Sequence, residues 1–162
     1  MENIAIRRRN LNFATKWSFG VGHILNDLCA SMWFSYLLIY FHKVVIFNNV
    51  GAGIFLLIGQ VADGLATPII GIESDKTSNT AYGKRKKWHL AGTIAVALSF
   101  PFIFDLCIYD CANNPRWTLY FYYVPFIVMF QFGWASTQIS HLALIPDLAS
   151  NTNQKVLLNA IR

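Results

Sequence analysis

Four apolar runs, at about residues 17–41, 50–72, 88–108 and 117–146, fill most of the chain, and each is 20 residues or longer. A hydrocarbon core of roughly 30 Å is crossed by about 20 residues of α-helix. Every run is therefore long enough to span a bilayer, and the polar stretches between them read as connectors. With 55% hydrophobic and only 13% charged residues, the chain is too apolar for an ordinary soluble domain. The net charge of +5 could suit nucleic acid, but the cations sit in the connectors rather than along one amphipathic face. The expected class is an all-α membrane protein with four transmembrane helices, its first partner being the lipid bilayer.

Lysine and arginine set the expected orientation. Residues 1–16 carry Arg7, Arg8, Arg9 and Lys16, the second connector carries Lys76, Lys84, Arg85, Lys86 and Lys87, and the tail at 147–162 carries Lys155 and Arg162. The opposite side holds Lys43 and Arg116, so the bias is eleven against two and places both chain ends in the cytoplasm. Trp17, Trp88 and Trp117 stand at helix starts, where amphipathic rings anchor at the interface. The tail is polar and then turns apolar at Val156-Leu-Leu158, like the opening of a fifth helix. The chain thus reads as the front part of a longer protein, whose C-terminal half is missing here, or as a truncated product of one. Cys29 lies inside an apolar run. Cys107 and Cys111 flank the far connector and could oxidise together, although their spacing alone does not assure disulfide geometry.

An acid in the middle of an apolar helix costs about 3 kcal/mol in lipid unless it faces protein or water, so polar groups inside the runs point to function. In the first run Gly20, His23, Asp27 and Ser31 recur at three- and four-residue spacing, with Asn26 beside them. Gln60, Asp63, Gly64, Thr67 and Gly71 do the same in the second, and Gln131, Trp134, Gln138 and His141 in the fourth. The third offers only Thr93 and Ser99 from Leu90 to Phe104. Helical periodicity places each set on one face. Helices one, two and four are therefore expected to line a wet interior, with helix three toward lipid. Asp27 lies ten residues (roughly 15 Å) from Trp17, Asp63 nine (roughly 14 Å) from Ile72, and Gln138 eight (roughly 12 Å) from Pro146. The three are expected to converge near the midplane, where transporters hold substrate. Either aspartate could instead pair with a structural cation. The four histidines are read as lying at different depths, which gives no metal site. No phosphate loop, nucleophile elbow or catalytic triad is present, so no enzyme is expected and no cofactor.

The connector Gly71-Ile-Glu-Ser-Asp75-Lys76-Thr77, followed by Gly83-Lys84-Arg85-Lys86, resembles the loop between helices two and three of the major facilitator superfamily. The flanking Asp63-Gly-Leu-Ala-Thr67-Pro68-Ile-Ile-Gly71 and Trp88-His-Leu-Ala-Gly92-Thr93 resemble its glycoside-pentoside-hexuronide:cation symporter branch, the melibiose-permease-like transporters. An animal subfamily of that branch is matched at Gly20-Val-Gly-His-Ile-Leu-Asn-Asp27, Gly59-Gln-Val-Ala-Asp63-Gly64 and Phe130-Gln-Phe-Gly-Trp-Ala-Ser-Thr-Gln138-Ile-Ser-His141. The resemblance implies a twelve-helix fold of two six-helix halves, with helices one to four here. It implies that the connector motif is a gate latch: Gly71 would let helices approach, and Asp75 would meet a helix end and a basic partner.

In that branch helix two carries two cation-binding aspartates; here the positions are Asp63 and Thr67. A helix-four acid is replaced by Gln138 and a sugar-stacking aromatic by Leu142, whereas a substrate-binding acid is matched by Asp27 and a helix-five arginine by Arg162. These departures weaken a sodium-coupled sugar symport and favour a proton as the coupling ion, since a desolvated carboxylate can titrate. The subfamily resemblance implies a secondary transporter in a lysosome-like or melanosome membrane that imports a small molecule, cysteine. Asp27 would bind the ammonium group or relay a proton, and Asp63 would carry the coupling proton. Gln138 and His141 would hydrogen-bond the substrate, with His23, Asn26 and Arg162 in the same site. A chain complete at this length could instead be an accessory or interfering membrane protein.

Overall fold

The computed structural model describes residues 11–78, 83–107 and 115–162, and among these the regular structure is all helix. Arg7, Arg8, Arg9 and Cys111 lie outside the described residues. The long elements are α1 (Phe13–Lys43), α2 (Asn49–Lys76), α3 (Lys84–Ile103) and α4 (Trp117–Leu142), followed by the short α5 (Ile145–Leu148) and α6 (Thr152–Ile161). α1 and α2 are each long and apolar enough to cross a membrane. α3 opens on four cations and α4 interleaves its apolar residues with polar ones.

Several helix ends differ from the edges of the apolar runs. α1 starts four residues before Trp17, α2 continues four past Ile72, and α3 starts four before Trp88. Apolar runs mark hydrocarbon thickness, whereas lysine, arginine and glutamate continue a helix well once outside it. α3 stops at Ile103, two residues after Pro101, a residue with no N–H to give the ladder. The Asp105 carboxylate then accepts from the Leu106 N–H at 2.8 Å. α4 ends at Leu142 rather than 146: Ala143 and Leu144 turn the chain, and the separate short α5 follows with Pro146, which has no N–H to give, in its first turn. The tail helix α6 carries a reciprocal cap: the Asn151 side chain accepts from Gln154 N at 2.9 Å, and the Gln154 side chain accepts from Ser150 N at 2.8 Å.

α4 is the hub, packed most broadly on α3 and then on α2, with α1 laid across α2 and α4 and α6 against α1. Between membrane helices tight packing of small residues has to do what water exclusion does elsewhere. Gly92 and Gly133 supply it: a β-carbon on Gly92 would sit 2.6 Å from the Gly133 carbonyl oxygen, and one on Gly133 would sit 2.9 Å from that of Gly92. Ser136 Oγ adds a 2.8 Å hydrogen bond to the Trp88 carbonyl, and Trp134 Nε1 donates to the Asn26 carbonyl at 3.2 Å, tying α4 to α3 and to α1. At the end away from the cationic connector an aromatic cluster closes the bundle. Phe41 stacks on Phe55 at 4.5 Å and meets Tyr123 edge-on at 4.8 Å, while the Tyr123 hydroxyl donates to the Asp105 carbonyl at 2.9 Å.

Helix three departs from its expected role. Leu90, Ile94 and Leu98 do form an exposed apolar stripe, but Gly92, Val96, Ser99 and Ile103 on the other face are buried. Its small residues make it a packing partner of α4, not only a lipid-facing cover. Cys107 is disulfide-bonded, and Cys29 is a free, buried thiol.

Candidate functional site

His23 and Asp27 are one helical turn apart on α1, so they share a face. The face straddles an edge: His23 is buried toward α4, while the Asp27 side chain is 59% exposed, with 3.4 Å from His23 Nε2 to Asp27 Oδ1. Asp27 opens into a cavity of about 390 Å³ between α1 and α6, whose other charged lining residues are Lys16 and Arg162. Asp27 and Arg162 form no ion pair with each other, so an acid and a guanidinium face one small space, both available to a ligand. Asn26 points the other way and is buried, its side-chain oxygen without a hydrogen-bond partner.

Behind His23 lies a second cavity, of about 700 Å³, lined by Thr15, Lys86, His89, Thr93 and His141 among others. Three histidines from three helices meet here. The His141 ring centroid is 5.1 Å from that of His23 and 6.0 Å from that of His89, and the ring stacks on Phe19 at 4.1 Å. His141 fits because position 22 is glycine; a β-carbon there would lie 3.1 Å from the imidazole. The Phe19 and His23 rings of α1 thus meet His141 of α4, and His141 meets His89 of α3, which joins the three helices here. The expectation that the histidines lie at different depths is thereby corrected. His89 follows Trp88 by one residue and so reads as interfacial in the sequence, but α3 begins at Lys84, which sets His89 more than a turn inside the helix. His89 was missed for that reason.

Of Asp27, Asp63 and Gln138, expected to converge near the midplane, only Asp27 lines either of the two cavities. Asp63 is half-buried and Thr67, one turn on, is exposed, and neither residue lines the two cavities; nor does Gln138, also half-buried. The polar stripe of α2 lies beside the α4 contact because α2 packs through Phe55, Gly59, Ala62, Ala66 and Ile70. Gln131 is fully buried at that contact, and neither polar atom of its amide has a partner among the described residues. Among the described residues no group of His, Cys, Asp or Glu is arranged to hold a metal ion.

The connector motif is assembled. Arg85 Nη2 lies 2.6 Å from Asp75 Oδ1, and Arg85 Nη1 donates to the buried Ser74 hydroxyl at 2.9 Å. Trp88 Nε1 donates to Thr77 Oγ1 at 2.9 Å. Lys76 pairs with Glu73 rather than across the connector, and Lys84 begins α3. Gly83 has φ of 87°, a conformation that a side chain would strain. Gly71 is different: among the described residues a β-carbon there would meet nothing within 4 Å, whereas Gly92 and Gly133 approach each other closely.

Comparison with known proteins agrees with this architecture. The profile of a family described as MFS/sugar transport protein matches residues 18–162. The human protein named major facilitator superfamily domain-containing protein 12 is 57% identical over 156 residues, which cover 95% of this chain and 32% of the human protein. Its mouse counterpart is 56% identical over 154 residues, again 95% of this chain and 32% of the relative. A Synechocystis protein described as an uncharacterized symporter is 31% identical, with 98% of this chain and 29% of that protein aligned. The chain spans about a third of the length of the curated relatives it matches. No solved structure matches significantly.

Proposed function

The chain belongs to the major facilitator superfamily, in its MFS/sugar transport protein family, and from that premise we propose that it serves a secondary active transporter working by alternating access. It is an integral membrane protein of a transporter family. The substrate in this reading is a small zwitterionic amino acid, cysteine, imported into a lysosome-like or melanosome compartment, with both ends of the chain in the cytoplasm and a proton as the coupling ion. The observation that carries it is the cavity of about 390 Å³ shared by Asp27 and Arg162. A carboxylate matches the ammonium group of an amino acid and a guanidinium its carboxylate, the latter in the planar two-bond geometry arginine favours. The volume is ample for a small amino acid.

Asp27→Asn is expected to abolish labelled-cysteine uptake into vesicles while the protein remains folded and membrane-inserted. Unchanged uptake in that variant would remove Asp27 from the substrate site. A sugar:cation symporter is the second reading, favoured by the family's description as MFS/sugar transport protein, by the similarity to the Synechocystis symporter and by the one helix-two acid retained, Asp63. Sodium-stimulated sugar uptake that is lost in Asp63→Asn, with no cysteine uptake by the natural protein, would replace the first reading with this one.

A further inference from the structure

His23, His89 and His141 lie where α1 and α3 begin and α4 ends; His89 and His141 line the larger cavity, and His23 joins them to Asp27 on the smaller one. Each leaves one ring nitrogen buried and unpartnered: Nδ1 of His23, Nε2 of His89 and Nε2 of His141. A buried polar atom without a partner costs about 1–3 kcal/mol, which a phenylalanine or leucine of similar volume would avoid. Packing alone therefore gives no reason for three imidazoles in one place. Their order in space gives one. Asp27 at the α1/α6 cavity touches His23, His23 faces His141, His141 faces His89, and His89 stands beside Lys86 on the second cavity.

We infer that the three imidazoles hold one exchangeable proton and pass it between the two cavities during the transport cycle. The inference rests on the transporter reading above and assigns the coupling proton to this cluster rather than to Asp63. Loading adds one proton and one positive charge to the cluster; release removes both, with only N–H bonds made and broken. An imidazole suits the task because its two nitrogens let a proton enter on one side and leave on the other. The surrounding charges are Asp27 on α1, Lys86 on α3 and Arg162 on α6. The carboxylate favours one imidazolium, and the two cations, with the like charge of the first, oppose a second. Three sites this close should titrate as a unit rather than independently.

The chain has four histidines, and His42, bonded to the Phe47 carbonyl at 3.2 Å, lies outside the cluster as an internal reference. Imidazole NMR on the natural full-length protein in nanodiscs, labelled at histidine, should show cluster signals that titrate together. His89→Gln should shift the His23 and His141 midpoints by about one pH unit or more and leave His42 in place. In vesicles the same variant should lose cysteine accumulation driven by a pH gradient. Protonation-free or mutually independent cluster histidines would overturn the inference, and so would full gradient-driven accumulation in His89→Gln. Absence of cysteine uptake by the unaltered protein would instead defeat the substrate reading, leaving the cluster to be decided by the titration.

Discussion

At the scale of single residues, Arg85 shows how one side chain can do two jobs of unequal worth. Its pair with Asp75 is largely solvated, the Asp75 side chain being 65% exposed, and such a pair is worth about 0.2–1 kcal/mol. Its bond to Ser74 is different, since Ser74 is fully buried and the donor is charged; bonds of that kind contribute about 1.5–3 kcal/mol. Arg85→Ala should therefore destabilise the protein by about 2 kcal/mol, and Asp75→Asn by less than about 1 kcal/mol. Thermal unfolding in detergent micelles would check the order, and equal losses in the two variants would contradict it. The ion pair was legible in the sequence through the family's connector motif, but the serine contact was not, because nothing in a linear motif says which neighbour is buried. His89 was illegible for a related reason: one residue after Trp88, it looks interfacial until the helix is seen to start at Lys84.

At the scale of helices, the number and order of the long elements could be read from run length, whereas their neighbours could not. Apolar length says that a segment can cross a bilayer; it does not say which faces touch. The α3–α4 seam depends on two glycines, Gly92 and Gly133, far apart in the chain and with no common periodicity to announce them. Gly92→Ala should open that seam, because the new β-carbon would meet the Gly133 carbonyl oxygen at 2.6 Å, the Thr137 hydroxyl at 2.6 Å and the Thr137 backbone nitrogen at 2.8 Å. Backbone cannot swing aside as a side chain does, so a cost of about 1–3 kcal/mol is expected. Gly64→Ala is the matched control, as its β-carbon meets nothing within 4 Å. That change should be neutral or stabilising by up to about 1 kcal/mol through helix propensity. Comparable destabilisation of the two variants would mean that glycine's role in α3 is conformational and not a matter of close approach.

For the whole molecule, the functional features gather at one end. The Asp75–Arg85 connector, the histidine cluster and both cavities lie where α1 and α3 begin and α4 ends, and the opposite end is closed by the aromatic cluster around Phe41 and Tyr123. The bias of lysine and arginine predicts a cytoplasmic first end, and on that proposal the import path is entered from the end that carries the machinery. This is open to a direct test in intact organelles, whose outer face is cytoplasmic. With the native cysteines replaced by serine, Ser78→Cys after α2 should react with a membrane-impermeant maleimide at once. Pro115→Cys, ahead of α4 and likewise exposed, should react only after permeabilisation. The reverse pattern would put the Asp27–Arg162 cavity and the histidines on the luminal side. Substrate would then enter that cavity from the lumen, and the same geometry would argue for export.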